Sequence, residues 1–322
     1  MFDLITIGDS TIDTFLIIDD ATLHCDLKKE HCQLCFNYAE KIPIKHSAQS
    51  VGGNAANVAA GAKKLGLKTA IVTELGDDIN GYTIKEDLAQ AGVDTRLVRC
   101  LRGRETRYAV VLNYQSERTI LSYHAKRNYS LPKLPRTKWI YYTSLGASFE
   151  KLQKKLLRHL KNNPDVKLAM NPGSYQIQKG LPAIKSIIPH ASLLIVNKEE
   201  AQKIAGKKKD ARALCLALHK QGVETVVITD SLNGSYAFDG EACWRMPASP
   251  VKAIAKTGAG DAYTSGFLSA IILGETIPEA MRWGTVNAGS VIQKFGAQKG
   301  LLNRAQINRL LKIYKMNPVK IY

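Results

Sequence analysis

Alternation constrains this chain more than any other feature. Short apolar runs at residues 4–7, 69–74, 139–143, 166–171, 193–197 and 225–229 are separated by segments with helical spacing, among them 150–161, 211–221, 261–273, 278–295 and 304–314. A buried strand reads as a brief continuous apolar run, and an amphipathic helix as apolar residues three and four apart. Strand followed by helix, repeated, predicts an α/β architecture with a mostly parallel sheet covered by helices on both faces. Such sheets bind ligands beyond the carboxyl ends of their strands. Asp13, Asn171, Asn197 and Thr229 all follow strand-like runs.

Two stretches break the alternation. Residues 14–50 and 96–125 read as strands without intervening helices, with 107–113 and 118–123 joined by a hairpin turn at Tyr114-Gln115-Ser116-Glu117. They predict a smaller sheet attached to the main layer. The length fits one large domain with such an appendage. No apolar run approaches the roughly 20 residues that span a bilayer, and the N-terminus reads as a first strand rather than a cleavable leader. The expected location is the cytoplasm.

A formal charge of +17 raises the question of nucleic acid. The lysines occur in short scattered groups (Lys28-Lys29, Lys63-Lys64, Lys154-Lys155, Lys207-Lys208-Lys209), without the interleaved aromatics of a stacking surface. A solvated basic surface that attracts small anions accounts for them, so nucleic acid is not an expected partner.

Two small-residue motifs carry the chemistry. Ala255-Lys256-Thr257-Gly258-Ala259-Gly260-Asp261-Ala262 opens a helix whose unpaired N–H groups and dipole face an approachable loop, an arrangement suited to phosphate. A carboxylate there repels phosphate, unless it takes the proton from a nucleophile attacking that phosphate. A tight turn with Asp261 as helix cap is the alternative. Gly52-Gly53-Asn54-Ala55-Ala56-Asn57 likewise runs from loop to helix, and Asn54 and Asn57, three apart, share a helix face where two amides can hold vicinal hydroxyls. It lacks the order of a dinucleotide-binding loop.

Together, and in this order, the motifs resemble the ribokinase (PfkB) family of carbohydrate kinases. The resemblance takes in Gly8-Asp9-Ser10-Thr11-Ile12-Asp13, Gly76-Asp77-Asp78-Ile79-Asn80-Gly81, Asn197-Lys198-Glu199-Glu200, and Thr229-Asp230 with Gly234. It implies a three-layer α/β/α sandwich over residues 1–322 with a small β-sheet lid made from about 14–50 and 96–125. It also implies transfer of the ATP γ-phosphoryl group to a sugar hydroxyl. Asp261 is then the general base, and Gly258, Ala259 and Gly260 supply the anion hole. Asp13, Gly52, Gly53, Asn54 and Asn57 hold the acceptor. Asn197 and Glu200 organise Mg2+, Glu200 through water, and Thr229, Gly234 and Asn287 contact the nucleotide. Asn197 and Glu200 also have capping-box spacing, which is compatible with that role. Where many members carry Asp-Thr, this chain has Ala255-Lys256, which puts a monovalent-cation requirement in doubt.

The acceptor is not named by sequence. A neutral sugar is the first expectation and a nucleoside the second, the latter needing an aromatic platform for which Tyr108, Tyr114 and Tyr123 are candidates. Arg107, Asn113, Arg118 and Lys126-Arg127 are within the same region and suit an acidic or phosphorylated sugar. A catalytically silent sensor, or a nucleic-acid-associated protein on this fold, is the alternative outside enzymes. A lid-to-lid homodimer is compatible with an edge-strand lid. Cys25, Cys32 and Cys35, with His24 and His31 nearby, allow a structural zinc site or an insertion with incidental thiols. The isolated Cys100, Cys215 and Cys243 read as small core residues.

Overall fold

In the computed structural model, which describes residues 1–26, 32–115 and 117–321, the apolar runs assemble into a nine-stranded sheet. Six strands run parallel: Thr225–Thr229, Leu193–Asn197, Lys167–Met170, Thr137–Tyr142, Phe2–Ile7 and Thr69–Val72, in that spatial order. Ser235–Phe238, Cys243–Met246 and Val319–Lys320 extend the Thr225 edge in antiparallel fashion.

Strand alternation sorts the side chains into two cores. Ile5, Ile7, Ile140, Tyr142, Leu168 and Met170 face the helices Phe149–Asn162, Leu181–Ile187 and Ala211–His219. Leu4, Trp139, Tyr141 and Ala169 face the other way, onto Asn54–Lys64, Ala259–Ile272, Ile277–Val291 and Arg304–Tyr314. Successive residues of a strand point to opposite faces, so a parallel sheet covered on both sides needs apolar residues throughout. This is the three-layer α/β/α sandwich that the alternation predicts.

A separate four-stranded sheet has the order Glu117–Tyr123, Tyr108–Tyr114, Thr11–Ile17, His46–Gly52, with its two middle strands parallel and the outer pairings antiparallel. Tyr114 and Glu117 pair directly, though the turn between them includes Ser116, outside the described residues. Residues Thr22–Cys25 and Cys32–Cys35 form a further two-stranded unit.

The helix expected over 278–295 stops at Val291. Val291, Ile292 and Phe295 keep helical spacing, but the chain turns at Gly296 (φ 101°). That turn lets Gln298 and Leu302 reach back to Asn57 and Asn287.

The zinc expectation is not met. Cys25 stands opposite Cys32 and the two form a disulfide, which removes both thiolates as ligands. Cys35 pairs with Thr22 at the far end of the hairpin, and three residues along a strand places it on the opposite face from Cys32. His31 lies outside the described residues, and among those described no cluster of His, Cys, Asp or Glu could hold a metal. Cys215 and Cys243 are buried as expected, but Cys100 is exposed, on a three-residue strand at the periphery. No helix among the described residues is long and apolar enough to cross a membrane.

Candidate active site

The helices Asn54–Lys64 and Ala259–Ile272 begin side by side because their facing surfaces are nearly bare. A Cβ on Gly61 would lie 2.4 Å from Ser265 Oγ. Ala55, Ala59 and Ala62 are fully buried in the same layer. Close packing of these backbones brings Asn57, one turn into its helix, against Asp261, in the first turn of the other. Asn57 Nδ2 donates to Asp261 Oδ2 at 2.7 Å.

Gly258 caps the second helix with φ 80°, and a side chain there would strike Ala297. Both restrictions favour glycine. The helix start faces a cleft between the main sheet and the small sheet, divided into two adjoining cavities of about 240 Å³ each. Asn54, Arg118, Gly258 and Asp261 line both.

One cavity brings together the carboxylates of Asp9, Asp13 and Asp261 with Arg107 and Arg118. Asp13 projects from Thr11–Ile17, accepts from Thr11 Oγ1 at 2.8 Å, and is raised above the ordinary carboxylate range by burial, with Thr11 and Arg107 opposing. Gly52 must be bare, since a Cβ there would sit 2.1 Å from Asp13 Oδ2. Arg107 Nη1 donates to Asp9 Oδ2 at 2.6 Å, and the Tyr129 hydroxyl donates to Asp9 Oδ1 at 2.8 Å. Asp9 is thus committed to holding Arg107 at the cavity wall. Asp261 titrates near pH 6, pushed up chiefly by burial; the Asn57 hydrogen bond pulls it down, while Asp13 and Glu200 push it further up. A carboxylate poised there can accept a proton near neutral pH.

The second cavity is lined by polar groups at strand ends. Asn197 and Glu200 form a reciprocal cap: Glu200 N donates to Asn197 Oδ1 at 2.8 Å and Asn197 N to Glu200 Oε2 at 2.9 Å. Burial raises Glu200 above its usual range, opposed by Asn197 and Asn171. Asn171 accepts from Asn54 at 3.3 Å and donates to the Ile195 carbonyl at 2.6 Å, tying the two cavities together. Thr229 lines the same space, with Gly258, Ala259 and Gly260 opposite. Gly234 closes the turn after Thr229 with φ 89° and lines neither cavity.

Asn287 corrects the sequence reading. Its side chain is fully buried among helices, donating to Ala262 O at 2.8 Å and Ser265 Oγ at 3.1 Å and accepting from Leu302 N at 3.0 Å. Every polar capacity but one lone pair is spent on packing, so its place is behind the site rather than in it. Arg127 is likewise buried, with its guanidinium donating to the Glu105 carbonyl. Lys256 pairs with Glu117 at 2.6 Å, joining the loop before the Ala259–Ile272 helix to the edge of the small sheet. Gln298 was not singled out from sequence. It donates to Asn57 Oδ1 at 3.0 Å across 241 positions, a contact with no local signature.

The pfkB family carbohydrate kinase profile matches residues 13–304. Among characterised relatives, fructoselysine 6-kinase of Shigella flexneri is 29% identical over 252 residues, covering 76% of this chain and 91% of that protein. The 5-dehydro-2-deoxygluconokinase of Halalkalibacterium halodurans is 28% identical over 283 residues, covering 81% and 85%. Among solved structures, the nucleoside kinase of Methanocaldococcus jannaschii superposes with a TM-score of 0.80 at 20% identity, covering 97% of this chain and 99% of that one. Arabidopsis thaliana ribokinase with ribose and ATP gives 0.77 at 22% identity, over 97% and 99%. The fold, the motifs and a match across most of the sequence agree: this chain belongs to the PfkB family of carbohydrate kinases.

Proposed function

We propose that the protein transfers the γ-phosphoryl group of ATP to a hydroxyl of a small sugar, with Asp261 as general base. The observation that carries this reading is the position of Asp261: a carboxylate titrating near 6, in the first turn of a helix, where a carboxylate-lined cavity meets a cap-lined one. In the step, the acceptor hydroxyl oxygen forms its bond to the γ-phosphorus, the bond to the bridging oxygen of ADP breaks, and the hydroxyl proton passes to Asp261. Backbone N–H groups at Gly258, Ala259 and Gly260 stabilise charge on the phosphoryl oxygens without rearranging.

Asp13, the Gly52-Gly53 backbone, Asn54 and Asn57 hold acceptor hydroxyls on one side, with the small sheet as lid. Thr229 and the strand-end polar groups hold the nucleotide on the other. Glu200 accepts from the Asn197 backbone and lines this cavity, a carboxylate that suits Mg2+ held mainly through water. When bound, that ion supplies charge neutralisation for the phosphates.

A nucleoside acceptor is less well supported. Ala109, Val111, Ile120 and Ser122 line the acceptor cavity, so Tyr108, Tyr114 and Tyr123, of opposite parity in the same strands, lie on the outer face. Tyr108 and Tyr123 pack on each other there, with ring centroids 5.2 Å apart. That outer face and the exposed edge strand Glu117–Tyr123, with Leu121 56% exposed, are the surface through which a homodimer would form. Sedimentation of the wild type and Leu121→Lys tests it.

The function is tested by Mg2+-dependent ADP release across pentoses, hexoses, sugar acids, phosphosugars and nucleosides, with Asp261→Asn as control. Turnover on a sugar, lost in the variant, supports the reading. Silence across the panel from both proteins overturns it in favour of a silent sensor.

A further inference from the structure

Asn57 donates to Asp261, yet nothing in asparagine itself decides which end of its amide faces the carboxylate. Rotated by half a turn, the amide would set Oδ1 against Asp261 Oδ2, two acceptors at hydrogen-bond distance. Asn57 is only 3% exposed, so water is poorly placed to correct the choice. The group that meets its other end is Gln298, whose Nε2 donates to Asn57 Oδ1 at 3.0 Å and also approaches the Val51 carbonyl at 3.5 Å. Gln298 comes from the irregular segment that follows the early end of the Ile277–Val291 helix.

We propose that Gln298 is a positioning residue for phosphoryl transfer, fixing the Asn57 amide so that it donates to Asp261. The proposal rests on Asp261 as general base. The donors run in one direction, Gln298 to Asn57 to Asp261, and end on a carboxylate. Asp261 Oδ2 is thereby occupied, leaving Oδ1 to take the acceptor proton in a fixed orientation. The charged groups facing Asp261 from the neighbouring elements are Asp13 on the small sheet and Glu200 on the helix Lys198–Ala205, both opposing its ionised form. Arg118 lines both cavities from the small-sheet edge, with Asp9 and Arg107 in one and Lys256 in the other. The Asn57 hydrogen bond favours the ionised form, so the relay keeps the base usable near neutral pH.

The test is the pH dependence of kcat and the acceptor KM for Gln298→Glu, Gln298→Ala, and Gln298→Ala in an Asn57→Ala background. A glutamate at 298 only accepts, so it draws Asn57 Nδ2 to itself and turns Oδ1 onto Asp261. The expected fall in kcat is about 100-fold for Gln298→Glu and about tenfold for Gln298→Ala. The acid limb of the profile moves to higher pH in both, a shift that the loss of an acceptor contact at Asn57 alone does not produce. With Asn57 already absent, Gln298→Ala costs nothing more, because the relay acts only through Asn57. Wild-type kcat and an unmoved acid limb in Gln298→Ala overturn the proposal, as does an equal loss in both backgrounds. Asp261→Asn assayed alongside separates the two claims: if it keeps wild-type activity the base assignment fails, whereas an inactive Asp261→Asn with an unaffected Gln298→Ala removes only the relay.

Discussion

The two halves of the cleft are built differently. The half containing Asp13 is made of side chains that brace one another: Thr11 holds Asp13, Tyr129 holds Asp9 and Asp9 holds Arg107, and Asn57 holds Asp261. The half containing Thr229 is made of strand ends, a capping box and the start of a helix, with the Gly258, Ala259 and Gly260 backbone as one wall. A polyphosphate is the same in every ATP, and a fixed array of N–H groups serves it. A sugar offers hydroxyls in one stereochemical arrangement, and matching them takes side chains held at defined angles. Side-chain changes should therefore act mostly on the acceptor half, and backbone changes on the donor half.

The largest effect falls on the residue shared by both. Asp261→Asn should lower kcat by about 10²–10⁴ with little change in either KM, as steady-state kinetics will show. Gly258→Val tests the backbone half. The left-handed φ and the clash with Ala297 should displace the helix start, cutting kcat by about 10²–10³ and raising the KM for ATP more than that for the acceptor. Equal changes in both KM values would erase the distinction between the halves.

Asp13→Ala tests the other half. Loss of a buried, hydrogen-bonded carboxylate should raise acceptor KM about 10–100-fold and leave the KM for ATP within about twofold. The pH profile is milder. As the proposed base, Asp261 acts ionised, so kcat should rise through pH 6 and level off above about 7. Stability runs the other way. The folded-state value is raised above the ordinary 3.8, so the contribution of Asp261 is most favourable below that value and is lost as pH rises through 6. Asp261→Asn should therefore unfold at a higher temperature than wild type at pH 8 and at nearly the same temperature at pH 4. The smallest effect belongs to Lys256→Ala, whose surface pair with Glu117 is worth about 0–1 kcal/mol and a few-fold in kcat at most, less at high salt.

The main sheet was legible because its signal is local. Each strand is an apolar run, and the order of runs and helices is the topology. That Asn57 and Asp261 sit near helix starts was legible because bare helix starts are written in consecutive residues, whereas Asp13, on the strand Thr11–Ile17, has no such local signal. Asn287 was misread because an asparagine inside a helix looks alike whether it faces ligand or a neighbouring helix; its partners are Ala262, Ser265 and Leu302, remote in sequence. Gln298 was invisible for the same reason. The cysteine cluster misled in a third way. Spacing suggested ligands, but strand register set Cys25 against Cys32 and left Cys35 on the other face.

The seam between the Asn54–Lys64 and Ala259–Ile272 helices has a further consequence. Gly61 meets the Ser265 side chain there, leaving no room for a larger residue at 61. The distance from Asn57 to Asp261 is then inherited from the interior of the molecule and has no independent adjustment. A descendant of this protein could acquire a new acceptor by redrawing the small sheet, residue by residue, while the Asn57–Asp261 pair proposed as its base machinery stayed as it is. It could not retune that machinery without first rebuilding the layer of helices beneath it.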